Sequence, residues 1–139
     1  MSSEIAFREA LRKTIARLDC GERQLLHQFS LTPPRYYALK RIYENPGVSL
    51  TTLSVLMLID KSSTTRLIRS MEEEGLVRRA RSETDRRTYG LSLSESGKKL
   101  YRSASAAHER YAQNRFSDLD IDVEALANDL EVLAHSLER

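Results

Sequence analysis

The chain has 139 residues, 40% of them hydrophobic and 30% charged, with a formal net charge of +2. That balance fits one soluble globular domain and excludes a disordered chain. No apolar run is long enough to span a membrane, and the early charges of MSSEIAFREALRK leave no secretion signal, so a cytoplasmic protein is expected.

Leu11, Ile15, Leu18, Leu25 and Phe29 recur at helical spacing and predict a first helix over about residues 3–29, with Gly21 a soft point in its middle. This helix carries the single cysteine, Cys20, so no intrachain disulfide is available. A second helix opens at Thr32 as N-cap with Pro33 in the first helical position, buries Leu39, Ile42 and Tyr43, and ends by Asn45 because Pro46 follows. Ser49 caps a short third helix, with Val48 and Leu53 at hydrophobic-staple spacing.

Asp60 caps a fourth helix running to Glu74. Leu67, Ile68 and Met71 form its inner stripe, Gly75 takes the left-handed closing position, and Leu76 folds back on Met71. The periodicity then turns to alternation. LVRRAR from Leu76 and the Tyr89, Leu91, Leu93 series read as two strands around a charged tip, a β-hairpin that must lean on the helices before it. Ser94 caps a long fifth helix to about Phe116, and a last helix covers about residues 123–137, with Leu126, Leu130, Leu133 and Leu137 as an apolar stripe.

Charge is unevenly placed along these elements. Residues 117–139 hold seven acids and one base, a net of −6, whereas the preceding 116 residues carry +8. A basic body with an acidic tail suits a nucleic-acid partner for the body.

The most informative stretch runs from Ser49 to Leu93: short helix, tight turn, second helix, hairpin. Two helices so joined can set the second in a DNA major groove. On the fourth helix Thr64, Leu67, Ile68 and Met71 share one face, while Ser62, Ser63, Thr65, Arg66 and Arg69 lie on or near the other. Small hydroxyls permit close approach to base edges or phosphates, and the arginines can reach guanine or the backbone. Glu72, Glu73 and Glu74 fall at the far end, where repulsion from DNA is smallest. The hairpin adds Arg78, Arg79, Arg81, Arg86 and Arg87; a basic tip with Thr84 and Asp85 can carry a guanidinium into the minor groove, with Asp85 orienting an arginine.

The run LTTLSVLMLIDKSSTTRLIRSMEEEGLVRRARSETDRRTYGLSLSESGKKL resembles the MarR family of bacterial and archaeal transcriptional regulators. The matching parts are the capped short helix at Ser49–Met57, Asp60–Arg69, Glu74-Gly75-Leu76-Val77 leading to Arg79, the wing Asp85-Arg86-Arg87, and Leu93-Ser94-Glu95-Ser96-Gly97. In the last of these Ser94 replaces the family's usual threonine and keeps the capping chemistry. LTPPRYYALKRI and the long flanking helices also fit.

The resemblance implies a mainly α fold with a small β-hairpin: a winged helix-turn-helix over residues 32–97, flanked by dimerisation helices at 1–31 and 98–139. It implies a homodimer, with Ile15, Leu18, Leu126, Leu130, Leu133 and Leu137 in the interface. Recognition helices about 34 Å apart would match a pseudo-palindromic double-stranded site. Family members commonly lose DNA affinity when a small aromatic or phenolic anion binds between the dimer helices and the winged helix. The candidate residues here are His27, Arg35, Tyr36, Tyr37 and Tyr111. Repression is the commoner mode in such proteins.

Two alternatives accompany this reading: a winged helix used for protein contact, and a redox-responsive regulator using Cys20. Arg17 and Arg23 favour a Cys20 thiolate, while Asp19 and Glu22 oppose it. An enzyme is not expected, because five glycines form no phosphate loop and no nucleophile stands with a base. His27, His108 and His135 give no metal-ligand spacing, and no cofactor is implied.

Overall fold

The computed structural model describes residues 2–81 and 89–138. Its element order is α1 (Ser3–His27), α2 (Pro33–Glu44), α3 (Leu50–Met57), α4 (Lys61–Glu73), β1 (Val77–Arg81), β2 (Tyr89–Leu93), α5 (Glu95–Phe116) and α6 (Val123–Ser136). This is the mainly helical winged-helix class expected. Two compact units divide the chain, Met1–His108 and Glu109–Arg139. Among the described residues no helix is long and apolar enough to cross a membrane.

Side-chain caps open the helices where the sequence places them. Thr32 accepts from the Arg35 amide, Ser49 from Thr52, and Asp60 from Ser63, each satisfying an amide that lacks an intrahelical partner. Ser94 Oγ accepts from the Gly97 amide at 3.0 Å and donates to the Gly75 carbonyl at 2.5 Å, so one hydroxyl starts α5 and ties it to the end of α4.

Three of the helices, α1, α3 and α4, close by left-handed turns. After α4, Gly75 has φ +75°, its amide donates to Glu72, and the Leu76 amide reaches back to Met71 at 3.0 Å. Leu58 plays the same part after α3 with φ 58°, and Ile59 donates back to Ser54. The same closure ends α1 at His27 rather than Phe29. Ser30 has φ 56°, and Leu31 donates to Leu26, which brings Leu31 into the core. Gly21 does not interrupt α1.

The first unit's core joins the end of α1, α2, α3, α4, the hairpin and the start of α5. Leu39, Ile42, Leu53, Ile68, Met71 and Leu91 are essentially fully buried within it. β1 and β2 are antiparallel, with Val77 opposite Leu93, Arg79 opposite Leu91 and Arg81 opposite Tyr89. A bridge from Val48 to Leu91 holds the hairpin to the α2–α3 connection. Gly90 must be glycine there, because a Cβ would sit 2.8 Å from the Gly47 carbonyl oxygen.

One expected core position differs, and the first ring of β2 is also open to solvent. Tyr43 is 40% exposed and Tyr89 42% exposed. Each ring instead carries an arginine: Arg102 lies 5.8 Å from the Tyr43 centroid and Arg81 lies 5.2 Å from that of Tyr89. Strand β1 begins at Val77 rather than Leu76, α4 ends at Glu73 with Glu74 as its cap, and α6 ends at Ser136 with Leu137 as its cap.

Candidate nucleic-acid interface

Helix α4 separates its two faces as its sequence requires. Thr64, Ile68 and Met71 are fully buried, with Leu67 packed against them. Ser62, Arg66 and Arg69 are exposed, and Ser63 and Thr65 are half-buried beside them. Thr64 occupies the core at no polar cost because its hydroxyl donates to the Asp60 carbonyl at 2.9 Å.

At the N-terminus the outer face forms a short chain of bonds. The Asp60 carboxylate accepts from the Ser63 amide and from Ser63 Oγ, both at 2.7 Å. Ser63 Oγ in turn accepts from Arg66 Nη2 at 3.2 Å. These bonds, the Ser63 amide first, hold the Asp60 carboxyl below its ordinary range. Thr65 donates to the Lys61 carbonyl at 2.8 Å, which spends its hydroxyl proton and leaves its oxygen as an acceptor toward the outside. Ser62 and Arg69 have no bonded partner among the described residues. The arrangement offers donors of different freedom: Arg69 and Ser62 are loose, and Arg66 is tethered. Lys61 stands exposed beside the helix N-terminus, a cation at an anion-attracting end that the sequence reading passed over.

The far end of α4 is fixed by arginines from other elements. Glu72 pairs with Arg79 of β1 at 2.7 Å, and Glu74 pairs with Arg35 of α2. Arg35 also donates to Ser70 Oγ at 3.2 Å. Two of the three terminal glutamates therefore anchor the helix to the hairpin and to α2. This corrects the reading of Arg78 and Arg79 as parts of one basic tip: Arg79 is turned to α4, and Arg78 lines a cleft with Lys98 and Arg102. Arg81 is exposed at the end of β1. The remaining wing candidates, Thr84, Asp85, Arg86 and Arg87, lie outside the described residues.

The five candidate effector residues have different surroundings. Tyr36 is a core side chain stacked 4.8 Å from His108 and 6.0 Å from Tyr101. Arg35 is engaged with Ser70 and Glu74, and His27 is exposed at the end of α1. Tyr37 lines a cleft of about 330 Å³ between α1, α2 and the end of α3, alongside Arg23, Arg41 and Met57. Its hydroxyl donates to Glu22 at 3.2 Å; burial first, then the Glu22 charge, pushes its phenol well above the ordinary value. Tyr111 belongs to the second unit, where its hydroxyl accepts from Arg115.

Among the interface candidates, Ile15, Leu18, Leu126, Leu130 and Leu137 are all exposed on the single chain and Leu133 is half-buried. Cys20 is exposed, and its neighbour Arg23 is engaged with Asp19 at 2.6 Å. Among the described residues no cluster of His, Cys, Asp or Glu could hold a metal ion.

A model described as the MarR family matches residues 31–89. The homoprotocatechuate degradative operon repressor of Escherichia coli is 28% identical over 132 residues, covering 90% of this chain and 84% of the relative. A MarR transcriptional regulator from Methanosarcina mazei Go1 superposes with a TM-score of 0.77 at 27% identity, covering 94% of each chain. The S. aureus MepR–DNA complex superposes with a TM-score of 0.86 at 21% identity, covering 99% of this chain and 100% of that one, a likeness of fold.

Proposed function

We propose that this chain, which belongs to the MarR family of DNA-binding transcriptional regulators and is not an enzyme, represses transcription as a cytoplasmic homodimer on a pseudo-palindromic operator. The observation that carries the reading is the division of α4. Its buried face is fixed in the core, and its outer face presents Ser62, Ser63, Thr65, Arg66 and Arg69. A helix of about this width enters a major groove some 12 Å wide. Arg81, with Thr84, Asp85, Arg86 and Arg87, would work in the adjacent minor groove.

Residues 32–97 are assigned to DNA and residues 1–31 and 98–139 to dimerisation. The exposed stripe on α6 supports the second assignment, since a lone chain leaves it in water. The Escherichia coli relative's name as an operon repressor supports repression. A small aromatic or phenolic effector remains part of the proposal. Tyr37 is the candidate residue that lines a cleft able to receive one.

The test is a gel shift with DNA upstream of the protein's own gene, at two salt concentrations and against competitor DNA. A tight shift that survives competitor supports the reading, and it should weaken steeply with salt if phosphates are contacted. No shift at low salt by a folded dimer would overturn it in favour of a protein-contact module.

A further inference from the structure

Behind the hairpin lies a second cleft, of about 420 Å³, walled by the end of α2, by both strands and by the start of α5. Its rim carries Arg78 from β1 and Lys98 and Arg102 from α5, against one carboxylate, Glu95. Glu95 is already taken up by Lys98 at 3.4 Å. Arg78 has no ion-pair partner among the described residues. The Tyr43 ring supplies an apolar wall, held from behind by Tyr101 at 4.7 Å and flanked by the Arg102 guanidinium, and Leu93 adds a second apolar wall. The cleft thus combines fixed apolar walls with a surplus of two positive charges, within the size range of small-ligand sites.

We infer that this cleft binds a small phosphate monoester, its dianionic head between Arg78, Lys98 and Arg102 and its apolar body against Tyr43 and Leu93. The charge surplus selects the class. A dianion balances it, a monoanion leaves one charge over, and a phosphate supplies three acceptor oxygens for cations arriving from two elements. The start of α5 adds the positive end of a helix. Because Arg78 belongs to the hairpin and Lys98 and Arg102 to α5, the ligand would bridge the two.

Phenyl phosphate serves as the probe, titrated calorimetrically into the full-length protein, with phenyl sulfate as the monoanionic control. One site per chain is expected. Phenyl sulfate should bind more weakly, and Arg78→Gln should weaken phenyl phosphate about tenfold or more. Slower amide exchange over β1 and β2 in the bound state should report the bridge. Arg78 and Lys98 both reach solvent, so their glutamine variants should melt like the parent. Absence of binding at about 10 mM probe would overturn the inference, as would equal affinity for phenyl sulfate or unchanged affinity in the Arg78→Gln/Lys98→Gln protein. Loss of DNA affinity in Arg78→Gln with no phenyl phosphate binding would assign these cations to the DNA backbone and also overturn it.

Discussion

Arg66 and Arg69 stand one turn apart on the outer arc of α4 but differ in freedom, since Arg66 is held by Ser63 and Arg69 by nothing described. A tethered arginine arrives pre-oriented and suits a base edge, whereas a loose one suits a phosphate. Arg66→Ala is therefore expected to cost about 1–3 kcal/mol of operator binding and to relax specificity at one position. Arg69→Ala should weaken all DNA alike and reduce the salt slope by about 1. Anisotropy titrations on operator and random duplexes separate the two, with circular dichroism confirming the fold. Asp60 adds a pH dependence of definite sign. Its folded value lies below the ordinary 3.8, so its stabilisation is complete above that value and is lost as pH falls through the lowered one. Asp60→Ala should lower the melting temperature at neutral pH and flatten this acid limb.

Helices α1, α3 and α4 end on left-handed turns at Ser30, Leu58 and Gly75, and the last two differ in what the turn costs. Gly75 has φ +75° with open space around it, so Gly75→Ala should cost about 1 kcal/mol, all of it conformational. Leu58 adopts φ 58° and is 89% exposed, so it bears that strain without burying its side chain. Leu58→Gly is expected to stabilise the protein by about 0.5–1 kcal/mol in urea denaturation, with DNA affinity retained. Gly97 lies against the Leu76 backbone where α5 meets the end of α4, so Gly97→Ala should be more damaging than Gly75→Ala. The same denaturation series would show the order; equal costs would contradict this account of the junction.

At the scale of the whole molecule, apolar side chains stand exposed along α6. Leu126 and Leu130 are each more than 40% exposed, and no residue of α6 is buried. Leu130→Asp should convert a dimer to a monomer on size-exclusion chromatography, because pairing would bury an unpaired charge. A dimer that persists would remove α6 from the interface. High pH should also weaken the fold. The Tyr37 phenol is held neutral by burial and by Glu22, so folding resists its ionisation and stability falls as pH rises past about 10.

The caps, the inner stripe of α4 and the Gly75 closure were legible in the chain because each is set by residues within a few positions of one another, and the hairpin because its two strands alternate and follow closely in sequence. Thr32, Ser49, Asp60 and Ser94 satisfy amides three residues on, and the period of Thr64, Ile68 and Met71 selects the face of one helix. The outward set on α4 follows from that same period. What the tertiary structure decided was the use of charge between elements. Arg35 is 39 residues from Glu74 in sequence and Arg78 is 20 from Lys98, and no local pattern tells that one arginine anchors a helix while the other lines a cleft. Helical spacing puts Tyr43 in the core and the family resemblance puts Tyr36 and Tyr37 in a pocket, whereas packing makes Tyr36 a core residue, Tyr37 a cleft wall and Tyr43 an arginine platform. Their burial depends on what α1, α5 and the hairpin bring against α2, and that is fixed only when distant segments pack.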